Sequence, residues 1–285
     1  MPKPSYLRTP LEDLTYEEAR DLKTFFWEGD VEGELLAVSA EKRILAEGDS
    51  WFDYPRPDIL DHLKKTYNLA IKKEAKAGDT LENMAYGTKY RRNWEPKTKP
   101  IVEFIAKVKK YEPRVVLFSA GGNDLAGDEL EGYLNHADSG LEPLRVPQAQ
   151  HVIHVSMRLA YESFLNSVWS VDSGIDIIGH GYARPIADGR AVINVRNYRF
   201  FGPWLRPAFT HKRILDRSKT TEVMATLLNE FNRMLQDLDR KYSNYHYLDL
   251  RDSVKPEDWA NELHPNVSTF GRIASKFHKE IQKHI

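Results

Sequence analysis

The chain has 285 residues, 41% of them hydrophobic, and a formal net charge of -1, which is enough apolar mass for a sizeable core and no global excess of the kind that binds nucleic acid. It contains no cysteine, which excludes disulfides, thiolate metal sites and a cysteine nucleophile and points to a reducing, cytoplasmic compartment. The opening MPKPSYLRTPLEDL lacks the apolar core of a signal peptide, and no run of about 18 apolar residues offers a membrane span.

In chain order, a Thr15-x-x-Glu18 capping box opens a helix expected to run to Trp27. Short apolar runs bounded by Gly, Pro, Asp or Ser then predict strands at 43–48, 68–72, 114–119, 175–180 and 245–250. Helical patterns at 57–66, 79–86, 98–110, 218–241 and 268–284 lie between them; in the fourth, Val223, Leu227, Leu228, Phe231 and Leu235 share one face. Strands alternating with helices imply parallel pairing through right-handed crossovers, hence a doubly wound three-layer α/β/α sandwich of about five parallel strands. No linker, repeat or low-complexity tract divides the chain, so a single domain is expected over 1–285. It carries a helical extension at about 1–40 and, at about 125–170, a helical insertion placed to cover the sheet edge.

Open α/β sheets keep their ligands at the carboxyl ends of the strands. The first strand ends in Gly48-Asp49-Ser50, the second leads to Gly78, the third to Gly121-Gly122-Asn123-Asp124 and the fourth to His180, Tyr182 and Arg184, while Asn261, Glu262 and His264 stand just before the last helix. A serine hydroxyl attacks a carbonyl only if a base takes its proton, and imidazole suits that role: Ser50 and His264 are the candidate pair. The resulting oxyanion needs preorganised donors, supplied by the backbone N–H groups of Ser50 and Gly78 and the side-chain amide of Asn123. Asp49 and Asp124 read as turn formers. Trp51, His180 and Tyr182 are expected to line the substrate cleft, with the Pro- and aromatic-rich segment Gly202–Phe209 either walling it or plugging the core.

These blocks, in this order and each at a strand end, resemble those of the SGNH hydrolases, also called the GDSL esterases and lipases. Ser50, Gly78, Asn123 and His264 match the four signature residues, and the resemblance runs from about residue 43 onward, leaving the first forty residues and 125–170 uncovered. It implies a flavodoxin-like sandwich that hydrolyses a small-molecule, lipid or carbohydrate ester through a serine acyl-enzyme, without metal or organic cofactor. One position departs: the family usually has an aspartate three residues before the histidine, and here Asn261 stands there. Asn261, Asp258, Glu262 and a backbone carbonyl are the alternative orienters of His264.

Two other readings stand beside this one. The neutral Asn261 allows a catalytically weakened member that only binds its ligand. The stretch 61–114, with 14 Lys and Arg against 7 Asp and Glu and with Arg91, Arg92 and Trp94 close together, is the one feature suggesting nucleic acid, against the balance of the whole chain. His136, His151, His154 and His211 lack metal-ligand spacing, so no metal site is expected.

Overall fold

Apolar runs of three to five residues, rich in Val, Ile and Leu, can bury both faces only within a parallel sheet covered by helices. The computed structural model describes residues 39–195, 198–200 and 202–285, and there the runs form that sheet. Strands β1 (Ile44–Gly48), β2 (Ile71–Lys73), β3 (Val115–Ser119), β4 (Asp176–His180) and β7 (Tyr245–Leu248) pair in parallel in the order β2-β1-β3-β4-β7. This is the flavodoxin-like order, and the chain reverses direction between β1 and β3, which opens a crevice at their carboxyl ends. An antiparallel pair not foreseen from the sequence, β5 (Ile193–Val195) with β6 (Tyr198–Phe200), forms a sheet separate from the main one.

The helices are α1 (Ile59–Tyr67), α2 (Leu81–Tyr86), α3 (Pro100–Tyr111), α4 (Asp128–Gly132), α5 (Val146–His151), α6 (Arg158–Trp169), α7 (Arg206–His211), α8 (Arg217–Lys241) and α9 (Val267–Ile281). The pair α1 and α9 packs together on one side of the sheet, while α2, α3, α6 and α8 form the other layer. In α9 the stripe Phe270, Ile273, Ala274, Phe277 and Ile281 is fully buried. Burying each phenyl ring contributes about 1.5–3 kcal/mol, so the helix that follows His264 is firmly seated.

The span 125–170 is not a cover for the sheet edge. It is the crossover from β3 to β4, which are paired interior strands. Helix α5 passes through a π-helical stretch, Val152–Met157, into α6; α6 contacts α2 and α3, and the π stretch contacts α8. A right-handed crossover requires its helix on the face of the sheet, which decides the location. The helix expected at Thr15–Trp27 lies outside the described residues.

Candidate active site

Gly48 closes β1 where the chain runs against β3. A Cβ at this position would lie 2.7 Å from the Ser119 backbone oxygen, so only glycine lets the strand continue into the turn. Asp49 then fixes the turn: its N–H donates to Ser119 O (2.9 Å), and its carboxylate accepts from the Trp51 N–H (3.0 Å) and the Ser119 hydroxyl (2.8 Å). The Tyr182 hydroxyl donates to its other oxygen. Burial raises the Asp49 carboxyl to about 6. Both Asp49 and Asp124, which accepts from the Leu81 and Glu82 N–H groups at 2.8 and 3.2 Å, are scaffold residues as expected.

The turn presents Ser50 to the loop before α9. His264 Nε2 lies 2.7 Å from Ser50 Oγ, and His264 Nδ1 lies 3.0 Å from Asn261 Oδ1. Asn261 Oδ1 also accepts the backbone N–H groups of Leu263 and His264, each at 3.0 Å, so the oxygen must face this way. The imidazole proton therefore sits on Nδ1, leaving the Nε2 lone pair for the serine. Asn261 Nδ2 donates to the Tyr54 hydroxyl at 3.0 Å, and the Tyr54 ring stacks on His264 with centroids 4.5 Å apart. Trp204 meets the imidazole edge-on at 5.6 Å. Enclosed in this way, His264 is pushed down to about 3 by burial, which disfavours the cation.

The alternative orienters are committed elsewhere. Glu262 accepts from the N–H groups of Gly189, Trp204, Leu205 and Arg206, while Asp258 pairs with Arg272 and Asn266. Of the candidates weighed from the sequence, Asn261 alone among the described residues touches His264 Nδ1.

Gly78, at φ +76°, takes a left-handed conformation that favours glycine. Its loop is held by Asp53, which accepts from the Ala77 N–H (2.9 Å) and pairs with Lys73 (2.8 Å). The Asn123 side-chain amide donates to Asp79 O at 2.7 Å, which orients it and leaves its second N–H available. Among the described residues, the backbone N–H groups of Ser50 and Gly78 make no hydrogen bond.

Two clefts meet at Ser50. The larger, about 120 Å³, has Gly78, Asn123 and His264 on its wall, with Tyr54, Val192 and Trp204 supplying apolar surface. The smaller, about 40 Å³, touches Ser50 and Asn123 but not His264, and ends on Leu125, Met224 and Leu228. Trp51 and Tyr182 line this smaller cleft with their rings, since the Trp51 indole N–H is bonded to Leu263 O and the Tyr182 hydroxyl to Asp49. His180 does not reach either cleft. As the last residue of β4 it is 0% exposed, stacked on Trp51 and bonded to Ser119 Oγ at 2.8 Å; its environment pushes it down to about 4. Its place at a strand end suggested the cleft, but its side chain points into the core beside Phe52 and Phe277. In the segment 202–209 both expected roles occur, with Trp204 in the cleft wall and Phe209 fully buried. The sequence did not mark Tyr54, Leu263, Met224 or Leu228 as cleft residues; Tyr54 and Leu263 were signalled only by standing near Ser50 and His264, and Leu228 only as part of an apolar helix face.

Arg91, Arg92 and Trp94 stand in an exposed loop, with Arg91 paired to Glu95 at 3.7 Å. No helix among the described residues is long and apolar enough to cross a membrane.

No family model and no curated protein matches the sequence. Solved structures do match. Phospholipase A1 from Streptomyces albidoflavus NA297 is 12% identical with a TM-score of 0.53, covering 84% of this chain and 98% of that one. The lipase Lip_vut3 from a goat rumen metagenome is 14% identical with a TM-score of 0.51, covering 83% and 96%. An inhibitor-bound aryl esterase of M. smegmatis is 11% identical with a TM-score of 0.50, covering 86% and 100%. The chain spans about half, 53%, of a protein described as a GDSL-like lipase from Bacteroides ovatus ATCC 8483. The fold shared with these structures is the three-layer α/β/α sandwich of five parallel strands expected from the sequence.

Proposed function

We propose that this chain is a serine hydrolase of short-acyl carboxylic esters, working through an acyl-enzyme on Ser50. The observation that carries the reading is the unbroken chain Ser50 Oγ, His264 Nε2, His264 Nδ1, Asn261 Oδ1, with links of 2.7 and 3.0 Å. His264 takes the serine proton as the oxygen attacks the ester carbonyl, then returns it to the leaving alcohol. The Ser50 and Gly78 N–H groups and the free N–H of Asn123 stabilise the oxyanion. A water activated by His264 then releases the acid.

Acyl size follows from where the base stands. The leaving alcohol must receive its proton from His264, so it occupies the larger cleft, whose wall includes His264. The acyl chain takes the smaller one. With roughly 10–15 Å³ of such space needed for one water-sized group, about 40 Å³ admits an acyl chain of about two to four carbons. Hydrolysis of p-nitrophenyl esters from acetate to palmitate tests this. The expected result is a maximum in kcat/KM between acetate and butyrate and a fall of at least about ten-fold beyond, the size of an overpacked methylene or two. A maximum at long chains would overturn the acyl assignment and favour a lysophospholipase-like enzyme.

One observation favours a second reading: the neutral amide of Asn261 stabilises an imidazolium less than a carboxylate would, as expected of a weakened member that binds its ester or glycan ligand. In that case none of the esters turns over, and Ser50 stays inert to acylating probes.

A further inference from the structure

At the opposite, amino-terminal edge of the sheet, three segments far apart in sequence bring two imidazoles and a carboxylate together. Asp176 is the first residue of β4, His246 the second of β7, and His284 follows α9. One donor atom from each lies within 4.8 Å of the other two. Asp176 Oδ1 is 2.8 Å from His246 Nε2 and 3.4 Å from His284 Nδ1, and the two imidazole rings are 4.2 Å apart. The other Asp176 oxygen pairs with Arg114 at 2.9 Å, which holds the carboxylate in place and leaves Oδ1 free to turn to the histidines.

We propose that Asp176, His246 and His284 form a binding site for a divalent ion of the zinc class. The surroundings of His284 fit such a site. Its Nδ1 faces the Asp176 carboxylate and its buried Nε2, which makes no hydrogen bond, faces Glu280 Oε1 at 3.5 Å. A metal on Nδ1 would leave the ring proton on Nε2, toward Glu280, the carboxylate–histidine–metal arrangement that orients ligating histidines.

The donor set selects the ion. Two imidazole nitrogens and one carboxylate oxygen suit zinc and its first-row neighbours, whereas calcium and magnesium take oxygen ligands. Bonds of about 2.0–2.2 Å in a tetrahedron put donors roughly 3.3–3.5 Å apart, so the Asp176–His284 pair at 3.4 Å already fits, the Asp176–His246 pair at 2.8 Å opens by about half an ångström or slightly more, and the two imidazole nitrogens, within 4.8 Å of each other, draw together. Three protein ligands leave one position for water. The bound ion would clamp the segment after α9 to the starts of β4 and β7. It lies at the other end of the strands from Ser50 and takes no part in ester hydrolysis. The His spacing that argued against a metal concerned His136, His151, His154 and His211, none of which belongs to this cluster.

The test uses untagged protein, stripped with EDTA, exchanged into chelator-free buffer and titrated with zinc chloride by calorimetry. The account expects about one zinc per chain, a rise in thermal midpoint on addition, and affinity reduced about ten-fold or more in His246→Ala and His284→Ala but unchanged in His136→Ala. His284 lies outside regular structure, so its variant should fold; cobalt substitution of the wild type gives a second readout, the intense visible absorption of a tetrahedral site. Wild type that binds no zinc, or His284→Ala that binds it equally, would overturn the proposal and leave the cluster a hydrogen-bonded ion network. Ester hydrolysis should proceed at the same rate with and without zinc, so the outcome is independent of the Ser50 assignment.

Discussion

At the scale of residues, the site hinges on what an amide can and cannot do for an imidazole. Asn261 fixes the productive tautomer, because its oxygen, pinned by two backbone N–H groups, can only accept from Nδ1. What it lacks is charge. Asn261→Asp should therefore preserve geometry, with the Tyr54 hydroxyl turning to donate where it now accepts, and raise kcat by roughly 10- to 100-fold through stabilisation of the imidazolium. The titration of the ring carries the same signature. Burial pushes His264 down to about 3, so its NMR ring signals should stay those of the neutral imidazole as pH falls from about 7 to about 4.5, where an ordinary imidazole with a pKa near 6.5 would be protonated; the ring is read directly because the Asp49 carboxyl that fixes the Ser50 turn, at about 6, changes charge in the same range. In Asn261→Asp the new carboxylate favours the protonated ring, whose titration moves to higher pH. A wild-type ring titrating near pH 6.5, or a variant slower than the wild type, would contradict this account of the base.

At the scale of elements, helix α8 lines the candidate site through positions that look structural. Met224 and Leu228 fall on its apolar stripe, and Leu228 was legible in the sequence only as core. The structure adds that Met224 and Leu228 line the smaller cleft beside Ser50. Leu228→Ala should enlarge the acyl site and shift the preferred p-nitrophenyl ester by two or more carbons, measured as the ratio of kcat/KM for hexanoate to acetate, with little loss on acetate itself. An unchanged ratio would remove α8 from the acyl site. The crossover at 125–170 shows the reverse difficulty. Its early turns and the Leu134–Leu144 bridge interrupt the helical pattern, so it looked like an insertion, yet it does the ordinary topological work of joining β3 to β4.

At the scale of the molecule, the five strands and the four chemical blocks were readable because both depend on local signals: apolar runs of strand length, and turn residues whose side chains have few other uses. What could not be read depends on contacts between segments distant in sequence. Asn261, Glu262 and Asp258 are near neighbours in the chain, and only the turn between Trp259 and Pro265 decides which faces the imidazole. His180 looked like a site residue because strand ends usually are sites; β4 is buried on both faces, and its last side chain packs among Trp51, Phe52 and Phe277. The cluster of Asp176, His246 and His284 has no sequence spacing at all. The central claim is that His264 makes one hydroxyl, that of Ser50, unusually nucleophilic, and it is tested most directly by treating the full chain with a fluorophosphonate and locating the adduct by peptide mass spectrometry. The account predicts a single adduct on Ser50, absent from Ser50→Ala and strongly reduced in His264→Ala. No adduct on the folded wild type, or an adduct on another residue, would contradict it.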